Sequence, residues 1–188
     1  MRKILKVLRY VFGSLFAFIL LVAAYVQLAP IPTYEVKAPN LNIVSDSALI
    51  AEGRRIVMTE CIGCHRGEDG KISGQLWADN APFGKLRSAN LTQHPEAGIG
   101  AYTDGELAYT LRTGVKRNGH FAGPFMTFPL LADEDVAAII AFLRSDAPEV
   151  QPSERRQPVT EAGFLHPRPR NRHREMDGSP IRRRRTIW

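Results

Sequence analysis

Apolar residues fill one unbroken stretch near the start of the chain and then recur in three shorter patterns at helical spacing. No charged residue occurs from Tyr10 to Tyr34, and residues 11–28 are almost wholly apolar. A helix crossing a bilayer needs about 20 such residues at a rise of about 1.5 Å each, so this stretch predicts a transmembrane helix. Residues 45–60 predict a second helix, because Leu49, Ile50, Gly53, Ile56 and Val57 fall on one face. Ser45, Asp46 or Ser47 is available to cap it. Glycine weakens a helix interior, so Gly53 inside the apolar stripe predicts a close approach by another helix. Thr103-Asp104-Gly105-Glu106 has the form of a capping box. It opens a helix to about Thr113, with Leu107, Ala108 and Leu111 facing inward and Gly114 placed to end it. A last helix is expected over about 133–145. Asp133, Glu134 and Asp135 complement the dipole of its first turn, and Val136, Ile139, Ile140 and Leu143 form its buried face.

The remaining segments read as connections. Pro30, Pro32 and Pro39 keep the chain extended to about Val44, as a spacer lifting the domain off the membrane. Residues 61–90 are rich in Gly, Asp, Asn and Pro and read as a loop, with no strand pattern. Beyond Ala147, arginines stand among Pro, Ser and Asn with little to bury, a composition that predicts disorder. The expected organisation is a basic segment at 1–9, a transmembrane anchor at 10–29 and a spacer at 30–44. An all-α domain comes next at 45–148, with a disordered Arg/Pro-rich tail at 149–188.

Charge sharpens this division. The 188-residue chain carries a net +6, but residues 1–9 hold +4, residues 10–149 hold −4 and residues 150–188 hold +6. The central domain is therefore acidic, and the basic whole-chain balance does not point to nucleic acid. The basic tail is a solvated arm, with contact to anionic lipid as its functional reading. Arg2, Lys3, Lys6 and Arg9 hold the N-terminus in the cytoplasm, so the chain beyond the apolar stretch is exported. A cleaved signal peptide with Val22-Ala23-Ala24 at its end is the competing reading, although the apolar run exceeds the ~7–15 residues usual for such a segment.

Candidate chemistry centres on Cys61-Ile62-Gly63-Cys64-His65, which holds the only two cysteines of the chain. Two thiols at this spacing can each add to one vinyl group of a haem, and the adjacent histidine reaches the iron. A thioredoxin-like thiol pair would need a strand before it and a βαβ setting. Structural zinc would need two further ligands at matched spacing, which His94, His120, His166 and His173 do not supply. A disulfide across so short a loop would be strained. One covalently bound haem c, held by Cys61, Cys64 and His65, is the reading that remains. Such attachment belongs to exported proteins, which agrees with a single-pass protein of the bacterial cytoplasmic membrane whose haem domain lies on the periplasmic side.

The second axial position decides what a haem does. Met58, Met126, Met176, His94 and His120 are the candidates. Met58 directly precedes the attachment turn, Met176 lies in the tail and His94 reads as a surface residue. Met126, 61 residues after His65 in Gly123-Pro124-Phe125-Met126-Thr127-Phe128-Pro129, lies in an irregular segment that can be laid across the haem. His65 and Met126 are thus the expected metal ligands, with His120 as the second choice.

The stretch from about Tyr34 to Pro148 resembles a class I cytochrome c domain. More narrowly, Ala89-Asn90-Leu91-Thr92-Gln93-His94-Pro95-Glu96-Ala97-Gly98-Ile99-Gly100, with 103–107, 126–129 and 133–144, is similar to haem domains of alcohol and aldehyde dehydrogenase cytochrome subunits. The resemblance implies three main helices around one haem, the first and last crossing where Gly53 and Phe142 pack. The second nitrogen of His65 is expected to donate to a backbone carbonyl, for which residues 81–83 are one source, and Asn90 and Arg87 read as loop residues, with propionate contact as their alternative. Those subunits often carry several haem motifs where this chain has one, and Ala132 stands where a capping Ser is expected. The implied function is electron relay between a dehydrogenase or quinol oxidoreductase and a downstream acceptor such as an oxidase. A haem-dependent peroxidase or ligand-activating cytochrome with Met126 displaced, and a haem-free thiol–disulfide oxidoreductase using Cys61 and Cys64, are the alternatives.

Overall fold

The computed structural model describes residues 2–80 and 84–155. The tail beyond Arg155, with Met176 and the run of four arginines at 182–185, lies outside the described residues, as does the 81–83 segment. Two compact units divide at Ile31 and Pro32. The first is a single helix, α1 (Arg2–Leu28). It starts inside the basic segment, and its Ser14 hydroxyl donates to the Val11 carbonyl, so that hydroxyl is satisfied within the helix itself. Among the described residues it is the one helix long and apolar enough to cross a membrane.

The second unit is built on two crossing helices. In α2 (Ser47–Ile56) the Asp46 carboxylate caps the first turn by accepting from Leu49 N at 2.8 Å. Gly53, Ile56 and Val57 are buried, as the apolar stripe requires. The last long helix, α5 (Asp133–Leu143), buries every residue from Val136 to Leu143. Ala132 caps it without a side-chain hydrogen bond, and three acids in its first turn act on the exposed N–H groups instead. A Cβ on Gly53 would sit 1.8 Å from the Ala138 carbonyl oxygen and 2.9 Å from Phe142 Cβ. The crossing therefore exists only because position 53 has no side chain.

Helix α4 (Asp104–Thr113) follows its sequence signals closely. Thr103 Oγ1 accepts from Glu106 N, and Glu106 Oε2 accepts from Thr103 N at 2.8 Å, completing the capping box. Gly114 ends the helix at φ 72°, a left-handed conformation that glycine adopts without strain. Leu107 and Ala108 are buried and Leu111 packs against the core from a half-buried position.

Three segments depart from expectation. The 61–90 region is not all loop. After a turn with i→i+5 hydrogen bonding (Val57–Cys61), a short helix α3 (Ile62–His65) carries the chain through the cysteine motif. Strands β1 (Leu76–Asn80) and β2 (Gly84–Arg87) then pair antiparallel, with a register irregularity between Leu76 and Ala78. The 30–44 segment is extended, but from Thr33 onward it is docked on the domain. Tyr34 N donates to Gly119 O at 2.8 Å, Ile43 N to Asp104 Oδ2 at 3.1 Å, and Tyr109 Oη to Glu35 O at 3.2 Å. Leu41 and Ile43 pack on the core, and Gly105 leaves room for the Pro39 carbonyl. Residues 149–155 also pack on the domain. A short turn at Pro148–Val150 buries Val150 completely. Ile72 N donates to Glu149 O and Gln93 N to Val150 O, both at 2.9 Å, which clamps this segment over the 66–93 region.

Replacing Gly53 sets two effects against each other. Alanine gains about 1 kcal/mol over glycine in a helix interior, whereas overpacking a close contact costs about 1–3 kcal/mol. With a backbone carbonyl 1.8 Å from the new Cβ, the clash wins. Gly53→Ala is expected to lower the net stability of the haem-loaded protein by about 1–2 kcal/mol, the upper part of the clash cost less the helix gain, read from denaturant unfolding. A stabilised variant would show that the helices can part freely.

Candidate haem site

The attachment turn is delivered by α2 and held from the opposite side by the base of the hairpin. Gly74 N donates to His65 O at 2.8 Å and Gln75 Nε2 to Gly63 O at 2.9 Å. Ser88 Oγ accepts from Gln75 N at 2.8 Å and donates to Cys64 O. The backbone carbonyls of three consecutive motif residues are therefore held by Gly74, Gln75 and Ser88. The sequence gives no sign of these contacts, because Gln75 and Ser88 look like ordinary loop residues.

His65 is 3 % exposed. Its Nδ1–H donates to the Ala89 carbonyl at 2.8 Å. The carbonyl partner is thus Ala89, at the start of the Ala89–Gly100 motif, rather than the 81–83 segment. Burial pushes the imidazole pKa down, and the Ala89 hydrogen bond only partly opposes this. The ring is accordingly neutral near pH 7, in the tautomer that leaves Nε2 for a metal. Cys61 and Cys64 are free, half-buried thiols on the same turn. Burial, with smaller contributions from Glu60 and Cys64, pushes the Cys61 thiol up to about 11. A thiol–disulfide catalyst needs the opposite, a lowered thiol pKa, and Cys61 is shifted the other way. Among the described residues no cluster of three or more His, Cys, Asp or Glu is arranged to hold a metal ion.

Met126 ends a short 3₁₀ turn (Pro124–Met126) and is half-buried. The segment around it is tied to α4 and its C-cap. Ala122 N donates to Gly114 O at 2.7 Å, and Phe128 N to Leu111 O at 2.8 Å. Arg112, 8 % exposed on α4, reaches the carbonyls of Pro129 and Leu131 and the carboxylate of Asp133, the last at 2.5 Å. Its position among buried residues of α4 was the available signal, and an arginine there looks like a solvated C-terminal cation. His120 pairs through its backbone with Thr33, and its Nδ1 is buried without a hydrogen bond. His94 Nδ1 accepts from Glu96 N and Ala97 N at 3.2 and 3.0 Å, so it shapes its own turn. Met58 lies in the turn before Cys61, as expected. Asn90, 4 % exposed, accepts from Thr92 and donates to the carbonyls of Ser153 and Arg155. Through these bonds Asn90 ties the 153–155 segment to the turn at Thr92. Arg87 closes strand β2 opposite Leu76.

The donor set fits a covalently held haem. Two thiols share one turn, and a neutral, oriented imidazole stands directly beside them. Crossing helices that deliver such a turn define a c-type haem domain. The chain belongs to the cytochrome c family, whose profile matches residues 50–146. Its fold is the class I arrangement with a two-stranded hairpin added. As a member it carries c-type haem, the group of an electron-transfer protein. Among similar proteins is the cytochrome c subunit of a quinone-type alcohol dehydrogenase from Gluconobacter oxydans, 34 % identical over 52 % of this chain and 21 % of that protein. The fructose dehydrogenase cytochrome subunit of Gluconobacter japonicus is 31 % identical over 57 % of this chain and 22 % of its own length. A nicotinate dehydrogenase subunit from Pseudomonas putida is 33 % identical over 54 % of this chain and 9 % of its own length. The chain thus matches a quarter or less of each of these relatives.

Acid–solvent extraction after denaturation reports covalent attachment directly. Haem from the unaltered protein is expected to stay with the polypeptide, and haem from the double variant Cys61→Ala, Cys64→Ala to pass into the solvent. Haem retained by the double variant would place the covalent link elsewhere.

Proposed function

We propose that this chain is a membrane-tethered monohaem cytochrome c that passes single electrons from a dehydrogenase or quinol oxidoreductase to a downstream acceptor. Cys61 and Cys64 hold the haem through thioethers, and His65 and Met126 are its axial ligands. The observations that carry this reading are a buried, neutral, oriented His65 beside the two cysteines and a Met126 segment tied to α4 through Leu111, Arg112 and Gly114. When bound, the haem supplies one-electron exchange between ferric and ferrous iron. The protein contributes rigidity: Ala89 holds the imidazole, and Leu111, Gly114 and Arg112 hold the methionine segment. A soft thioether favours the ferrous state and raises the potential relative to a second histidine. A peroxidase role requires Met126 to leave the iron, and the anchors of its segment oppose that.

The relatives named as dehydrogenase subunits support a dehydrogenase as the electron donor. Helix α1, with Arg2, Lys3, Lys6 and Arg9 at its start, supports a retained anchor in the bacterial cytoplasmic membrane, its basic end inside and the haem domain on the periplasmic side. In this reading residues 10–29 are the anchor and the basic tail is free to meet anionic lipid.

Met126→Ala is expected to convert a six-coordinate low-spin ferric spectrum to high spin and to open the ferrous form to carbon monoxide. His120→Ala should leave both unchanged. An unchanged spectrum in Met126→Ala would overturn the ligand assignment. The charge of −4 on residues 10–149 favours a donor with a basic docking patch. Reduction by a membrane quinoprotein dehydrogenase should therefore slow as salt rises from about 0.01 to 0.1 M, over which the screening length falls from about 30 to 10 Å. A rate indifferent to salt would remove the electrostatic part of the reading.

A further inference from the structure

One aromatic contact joins the two sides of the site without passing through the helices. The rings of Trp77 and Phe125 lie with centroids 5.2 Å apart at an interplanar angle of 58°. This is the tilted geometry in which aromatic pairs attract beyond simple burial. Trp77 is on β1, whose entry at Gln75 is bonded to Gly63 and to Ser88, which in turn holds Cys64. Phe125 directly precedes Met126 in the turn at Pro124–Met126. A continuous chain of contacts thus runs from the attachment turn through the hairpin base, along β1 and across the ring pair to the residue next to Met126. Both rings remain substantially exposed, Trp77 at 43 % and Phe125 at 66 %. Burial in the core therefore does not explain why two large aromatic residues meet there.

We propose that the β1–β2 hairpin is a strap, and that Trp77 is a positioning residue that holds Met126 on the iron through Phe125. The proposal rests on the assignment of Met126 as axial ligand. The backbone anchors at Gly114 and Leu111 set where the segment runs, and Met126 N is itself bonded only within its own turn, to Gly123 O at 3.1 Å. The ring contact is what restrains this turn against lifting away from the attachment side. Without it, an external ligand competes more easily with the thioether.

Titration of the haem-loaded ferric protein with imidazole tests this, because imidazole binding requires the methionine to leave. An aromatic pair of this kind changes an equilibrium roughly two- to tenfold. Trp77→Ala and Phe125→Ala are each expected to raise imidazole affinity by roughly that factor. The double variant should show no more than the larger single effect, because the two residues act through one contact. Trp77→Phe should restore most of the wild-type affinity, which separates a ring contact from general damage to the hairpin. Far-ultraviolet circular dichroism and covalent haem content serve to select folded variants. Unchanged affinity in Trp77→Ala, or single effects that multiply in the double variant, would overturn the strap. Met126→Ala is titrated alongside: if its spectrum turns high spin while Trp77→Ala behaves as wild type, only the strap fails. If Met126→Ala keeps the wild-type spectrum, the ligand assignment falls and the strap falls with it.

Discussion

The contact between α2 and α5 at Gly53 is the constraint from which the site is built. Helix α2 runs on through the Val57–Cys61 turn into the cysteine motif, so its position sets where the two thiols and His65 are presented. The same α5 begins at Asp133, whose carboxylate holds Arg112 and, through it, the carbonyls of Pro129 and Leu131 beyond Met126. Both halves of the site are therefore referred to one helix. Because Ala138 O would lie 1.8 Å from a Cβ at position 53, this reference is set by a backbone-to-backbone approach. Such an approach has no rotamers to adjust, so the crossing transmits position more stiffly than side-chain packing would.

Hydrogen bonds to backbone supply most of the remaining restraint. The 148–155 segment lies over the 66–93 region through Ile72, Gln93 and Asn90, and Ser153 reaches Asp69 at 2.6 Å. On the opposite flank, the 33–43 segment closes over α4 and the Lys116–His120 turn. A small domain with a short apolar core gains from such straps, because they shield core edges that its few helices leave open. Leu41, Ile43 and Val150 show how: each adds an apolar side chain to the core from a segment that belongs to no long helix.

How far the sequence could be read depends on where the information lies. Gly53 was legible because a glycine within an apolar helical stripe is locally unfavourable and so implies a non-local reason. The capping box at Thr103 and the acids opening α5 were legible because each acts within one turn. The cysteine motif was legible because its chemistry depends on spacing alone. The hairpin was not: Leu76, Trp77 and Ala78 are consecutive, without the alternation of a half-buried strand, and Asp79, Asn80 and Pro82 read as loop. The partner of His65 was not legible either, because a backbone carbonyl carries no side-chain signature and any of many residues can supply it. Residues 149–155 read as tail because Val150 stands alone among polar neighbours, and what holds the segment is mainly main-chain pairing. Asn90 and Arg112 show the same limit, since their partners lie 63 and 21 residues away in Ser153 and Asp133.

The two sides of the site are held by different means, and this bears on what an electron carrier requires. Around His65 the restraints fall on the backbone carbonyls of Gly63, Cys64 and His65 and on the imidazole itself. Around Met126 they fall on residues several positions away, with the methionine in a turn of its own. A proximal histidine set this firmly keeps its geometry whichever oxidation state the iron is in, which limits the rearrangement each electron must drive. With Met126 as the proposed ligand, a methionine held through its neighbours would keep some freedom, and its bond to iron would depend on the surrounding segment as much as on the sulfur. On that proposal, the ease with which the thioether is lost, and with it the balance between electron transfer and ligand binding, would be a property of the loops at 66–93 and 122–131. The helices supply the frame that both loops share.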